Sequence, residues 1–63
     1  MILKELLKTF VAREQVVIYQ NFPKSILYRG IAKDVPYDFY DEIVITVGAY
    51  SGLHSPVIEI CLR

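Results

Sequence analysis

The chain has one histidine, one cysteine and no tryptophan in 63 residues, and its three glycines are scattered at positions 30, 48 and 52. These scarcities exclude much chemistry. A structural zinc site takes four Cys or His ligands, and His54 with Cys61 supplies two. Three separated glycines build neither a phosphate-cradling loop nor a dinucleotide fingerprint. A single cysteine closes no internal disulfide and fits a reducing compartment. No apolar run approaches the roughly 20 residues of a membrane helix. The opening Met1-Ile2-Leu3-Lys4-Glu5 turns charged before a signal-peptide core can form. The expected location is therefore the cytoplasm, with no membrane association. No charge sign dominates, since seven Lys and Arg balance seven Asp and Glu, so the chain as a whole steers weakly toward nucleic acid.

What the chain does have is core-forming material. It is 54% hydrophobic with a mean hydropathy of +0.36, more apolar than a disordered segment. Residues 1–63 read as a single domain near the lower size limit for folding without a metal or disulfides. Branched aliphatics crowd the second half, in Ile43-Val44-Ile45-Thr46-Val47 and Val57-Ile58-Glu59-Ile60. Such side chains are stiff at χ1 and suit a pleated sheet. The charges are also partitioned. Residues 1–33 hold Lys4, Lys8, Arg13, Lys24, Arg29 and Lys33 against Glu5 and Glu14, a net +4. Residues 34–63 hold Asp34, Asp38, Asp41, Glu42 and Glu59 against Arg63, a net −4. Such a split either marks an interaction surface or lets two halves attract each other within the fold.

The order of elements follows from periodicity. Leu3, Leu6, Leu7 and Phe10 recur at i, i+3, i+4 and i+7, which predicts an amphipathic helix over residues 2–10. It is too short to persist alone and must dock its leucines. A strand is expected from residue 15 or 16 to 20. Turn chemistry at residues 21–25 follows, then a second strand over 26–33, so the two form a hairpin. Gly30 in mid-strand predicts a bulge or a close crossing by the helix. Pro36 ends the ladder and starts a single helical turn over 36–41. Strands over 43–49, with a possible bulge at Gly48, and 57–62 complete the chain, separated by a loop over 50–56. The expected class is α+β, one N-terminal helix packed on a four-stranded, mainly antiparallel sheet in the order α-β-β-short helical turn-β-β. Ile58, Ile60 and Leu62 should face the helix, with Ile43, Ile45 and Val47 beside them.

The succession Leu3-Lys4-Glu5-Leu6-Leu7, Val16-Val17-Ile18-Tyr19, Tyr28-Arg29-Gly30, Val35-Pro36 and two Ile/Val-rich strands resembles short accessory proteins of phages, prophages and integrative elements of Gram-positive bacteria. The resemblance spans nearly the whole chain and consists of fold-type signals, with no catalytic or binding motif. Some small proteins of such elements block host defence nucleases, so it implies an anti-CRISPR-like inhibitor without assigning residues.

The residues themselves suggest binding rather than catalysis. A Cys–His pair can activate a thiolate, but seven residues across a loop do not force His54 and Cys61 together and no third group orients them. No catalytic, cofactor or metal residue is expected, and acidic Ca²⁺ or Mg²⁺ binding lacks the spacing of a calcium loop. The one local constellation is Asp34-Val-Pro-Tyr37-Asp38-Phe39-Tyr40-Asp41-Glu42. Spacings of 0, 4, 7 and 8 put Asp34, Asp38, Asp41 and Glu42 along one face if the segment is helical. Carboxylates mimic phosphates toward a basic groove, and tyrosine supplies rigid contact area. Asp34, Tyr37, Asp38, Tyr40, Asp41 and Glu42 are thus the candidate contacts for a protein partner such as a host nuclease or other nucleic-acid enzyme. The plainer alternative is a capped turn with Phe39 in the core and its acids solvated. Two other uses are open. A sheet face bearing Val17, Tyr19, Val44, Thr46, Val57 and Cys61 suits a homodimer, and Lys4, Lys8, Lys24, Arg29 and Lys33 suit nucleic-acid phosphates.

Overall fold

The computed structural model describes residues 1–21, 23–51 and 56–63. The fold is α+β: a short helix α1 (Leu3–Leu7) and four strands, β1 (Gln15–Gln20), β2 (Ser25–Ile31), β3 (Val44–Ser51) and β4 (Pro56–Leu62), with 3-10 turns at Ala32–Asp34 and Tyr37–Phe39. The sheet order is β2-β1-β4-β3. β1–β2 and β3–β4 pair antiparallel, whereas the central pair β1–β4 is parallel. Parallel neighbours need a long crossover, and residues 32–43 supply the part that leads from one hairpin to the other.

The core lies on one face of this sheet. Val16 and Ile18 of β1 and Ile60 and Leu62 of β4 bury against Leu3 and Leu6 of α1, closed at the side by Ala32 and Val35. Ile58, expected with them, packs half-buried against the same cluster. Leu3, Ile18 and Ile60 have no exposed area, and among the described residues no polar or charged side chain is buried.

α1 is shorter than the periodicity predicted. Beyond Leu7 the chain continues in turns, and the Thr9 hydroxyl donates to the Leu6 carbonyl at 2.7 Å. A side chain that satisfies a helical carbonyl competes with the next turn of helix. Phe10 nevertheless reaches the core. At the other end Ile2 offers no capping side chain. The orphan amides of the first turn go to the crossover instead, Leu3 N to Glu42 O and Lys4 N to Tyr40 O, both at 2.9 Å.

Bulges fall where sequence gave little sign. The expected bulge at Gly48 is absent, and the register shifts instead between Val44 and Thr46. Ile45 is therefore the extra residue, and the face alternation inverts. Val44 and Val47 pair with Leu62 and Ile60 on the helix side, while Ile45 is exposed. The expected set Ile43, Ile45, Val47 thus shares no single buried face. In β1–β2 the register shifts between Ile18 and Tyr19, opposite Leu27. Gly30 is crossed closely, by the ring of Tyr28 rather than by the helix. A Cβ at Gly30 would lie 2.7 Å from the Tyr28 hydroxyl oxygen, and that hydroxyl donates to Ile31 O at 2.8 Å. β2 ends at Ile31, two residues early, because Ala32 turns inward and its amide donates to Glu14 O at 2.9 Å.

The Tyr28–Gly30 contact generates two expectations. Tyr28→Phe should cost about 1 kcal/mol in urea unfolding through the lost hydrogen bond. Gly30→Ala should destabilise wild type by more than it destabilises Tyr28→Phe, a double-mutant cycle whose coupling vanishes if ring and glycine do not meet. Burial, with the Asp34 charge second, raises the Tyr28 phenol above its usual pKa of 10.0. The folded state therefore holds this proton more tightly than the unfolded one. The associated stability is complete below pH 10 and falls as pH rises toward the folded value, so alkaline unfolding should be less steep in Tyr28→Phe.

Candidate protein-binding surface

The acidic–aromatic segment is not one helix. Val35 precedes Pro36, and a residue before proline is pushed to extended backbone. Val35 and Pro36 have ψ of 128° and 140°, which separates Asp34 at the end of one 3-10 turn from Asp38 within the next. The stripe of four carboxylates predicted from helical spacing does not form, and the turn expected over 36–41 spans Tyr37–Phe39 with Pro36 outside it as N-cap. Asp34 lies near enough to Tyr28 to influence its phenol, on the β2 side of the segment.

The remaining candidates lie on one short, largely exposed segment, and two of them meet. Val35 is buried and Phe39 packs half-buried against the core, so the segment is pinned from below. Tyr37 stands out from this base with 83% of its surface exposed. Its ring meets Tyr40 edge-on, with centroids 5.0 Å apart and planes at 84°, a favoured aromatic geometry. Asp38, Asp41 and Glu42, which lie between or just after the two tyrosines in sequence, are exposed. Among the described residues the single ion pair is Lys24–Glu59 at 3.9 Å, so these three carboxylates have no cation partner there. Within that same set no three His, Cys, Asp or Glu side chains assemble into a metal-holding group.

Tyr40 also borders a groove of about 320 Å³ whose rim carries Lys4, Lys8 and Lys33. Lys4 and Lys8 share a helix face by their i, i+4 spacing. That Lys33 joins them depends on the bond from its amide to Ala12 O at 3.1 Å, which no sequence pattern announces. Lys24 and Arg29 lie elsewhere. Arg29 sits in register with Val17 on the face away from α1, and Lys24 stacks 4.8 Å over the Tyr19 ring there. The five basic residues that suited nucleic-acid phosphates therefore form no continuous patch.

The sheet face away from α1 is less bare than its composition suggested. Val44 turns to the core, and Val17 and Cys61 are buried. Val17 has Arg29 and Glu59 as register neighbours, and Cys61 has Tyr19 and Thr46. Long side chains lay their aliphatic stems over such positions while their heads stay in water. Asn21 Nδ2 donates to Cys61 Sγ at 3.5 Å. Cys61 is thus a small packed residue of the strand. The loop expected over 50–56 loses Tyr50, Ser51 and Pro56 to β3 and β4, and the rest of it, with His54, lies outside the described residues, as does Phe22.

No family model matches the chain, and neither a curated protein nor a solved structure matches it. Its description rests on the fold and this surface: a small α+β domain presenting a pinned tyrosine pair beside exposed acids. No helix among the described residues is long and apolar enough to cross a membrane.

If Tyr37 serves contact rather than folding, Tyr37→Ala should change stability by no more than about 0.5 kcal/mol. Val35→Ala, two residues earlier, should cost about 2 kcal/mol through its buried methyl groups. Equilibrium unfolding of both variants checks the contrast.

Proposed function

We propose that this protein is a non-enzymatic binding factor whose Tyr37–Tyr40 pair, with Asp38, Asp41 and Glu42, engages a basic surface on another protein. The observation that carries this reading is the exposure of Tyr37 on a turn anchored by Val35 and Phe39. A large amphipathic ring held in place loses little freedom on binding, and such residues dominate interface energetics. Exposed carboxylates without a cation partner among the described residues add charge complementarity toward Lys- and Arg-rich clefts. The finer reading is an inhibitor, encoded by a phage or mobile element, that occupies the nucleic-acid cleft of a host defence nuclease in the cytoplasm. It is supported by the resemblance in element order and by the phosphate-like character of an acidic turn. Asp34, set apart by the extended Val35–Pro36 step, belongs at most to the margin of this surface.

A homodimer is the second reading, and the exposure of β3 favours it over use of the sheet face. Nucleic-acid binding is weakened by the dispersal of the basic residues over two faces.

Affinity capture from host lysate at physiological salt, read by mass spectrometry, tests the principal reading. A specific basic partner should be retained by wild type. It should be lost with Asp38→Lys/Asp41→Lys and weakened at least about tenfold by Tyr37→Ala. Retention of every partner by both variants would remove this surface from consideration.

A further inference from the structure

The two edges of the sheet are built differently. β2 carries Arg29, is flanked by Lys24 and Lys33, and is interrupted by the irregularity at Leu27. Charge and bulges are the devices by which proteins keep edge strands from pairing with other chains. β3 is the other edge. Its sequence, Val-Ile-Thr-Val-Gly-Ala-Tyr-Ser, has no charge and no proline, and every residue after Val44 is exposed. Its single irregularity, at Ile45, lies at the start and leaves Thr46 to Ser51 in regular register with β4. Exposed apolar side chains concentrate here: Ile45 at 59%, Val47 at 47% and Tyr50 at 45%, with Ile43 beside them and Met1, whose carbonyl accepts from Val44 N at 2.8 Å.

We propose that β3 pairs antiparallel with β3 of a second copy of this chain across a twofold axis, joining two four-stranded sheets into one. The charge distribution selects a second copy as occupant. A twofold axis perpendicular to the sheet sets each β3 against itself, and across eight residues no charge meets a like charge. A charged partner strand would find nothing complementary on this edge. Faces are preserved when the axis passes through Gly48, which keeps the Ile45 bulge out of the paired stretch. Val47 then lies beside Ala49 of the second copy, and Tyr50 lies beside Thr46. This arrangement sets the aromatic ring against a β-branched side chain. The regular edge, Thr46 to Ser51, is about 20 Å long at about 3.4 Å per residue. One row of side chains on each face covers less than the roughly 800 Å² per partner of a standard interface, so the dimer should depend on concentration.

This inference is independent of the acidic surface, and sedimentation velocity from micromolar to about 1 mM protein tests it. Wild type should pass from monomer to dimer within that range. Val47→Lys should raise the dissociation constant by about tenfold or more through like charge near the axis. Its circular dichroism and thermal unfolding should remain those of a folded domain, since Val47 is already half exposed. Ile26→Lys, on the defended edge, should dimerise as wild type does, and so should Asp38→Lys/Asp41→Lys. A wild type that stays monomeric at the highest concentration overturns the proposal, as does a folded Val47→Lys that dimerises undiminished. A wild-type monomer that captures a different protein in a Val47-sensitive way also overturns it, and assigns the edge to that protein's strand.

Discussion

Ile18 of β1 lies in parallel register beside Ile60 of β4, and both are wholly buried beneath α1. The other elements take their places from this pairing. It joins a strand from the first third of the chain to the last one, so the two hairpins share one sheet and their outer strands become its edges. It also sets the core width, because Val16 and Ile58, and Gln20 and Leu62, fall into line with it. α1 needs only five residues to cover the seam, and Leu3 and Leu6 suffice to close it.

A parallel centre obliges the chain to travel from one edge to the other, and the surface features of the molecule lie along that route. The crossover cannot bury its backbone without partners, and it finds them in the opening residues. Carbonyls at 40 and 42 accept from the first helical amides, and the carbonyls of Met1 and Ile43 accept from Val44 and Arg63. Val35 and Phe39 anchor the crossover to the core while Tyr37 and the acids are left outside. The charge split seen in sequence receives a spatial meaning. The basic half supplies the helix and the β2 edge, the acidic half supplies the crossover, and Tyr40 stands at their border beside the lysine groove.

The face away from α1 shows how composition misleads. Tyr19, Lys24 and Glu59 interact across it, the ammonium lying over the ring and within ion-pair distance of the carboxylate, and Val17 is buried without a second layer. An exposed pair of this kind contributes little net energy, yet its aliphatic stems shield apolar area. The hydrophobic excess of the chain therefore surfaces at the β3 edge, where no long charged side chain is available to lie over Ile45 and Val47.

Local signals were enough for the element types. Leucines at helical spacing, β-branched runs and the Val35–Pro36 break report conformations decided within a few residues, by sterics and by side-chain periodicity. The α+β class, the hairpin and the exposed acidic–aromatic segment were legible for that reason. The parallel pairing of β1 with β4 was not, because it joins residues more than forty positions apart and leaves no mark on either strand. The bulge at Ile45 is equally silent in sequence. It arises where a strand must meet both Leu62 and the bridge between Ile2 and Ile43, and one extra residue there reverses which valines are buried. The helical stripe of acids failed because a proline effect on one residue outweighed a spacing rule that presumes continuous helix. The sequence by itself determined which segments are helix, strand and turn. Tertiary structure alone decided which strand lies beside which, and so which edge is left open, because that choice is made by burial between distant residues.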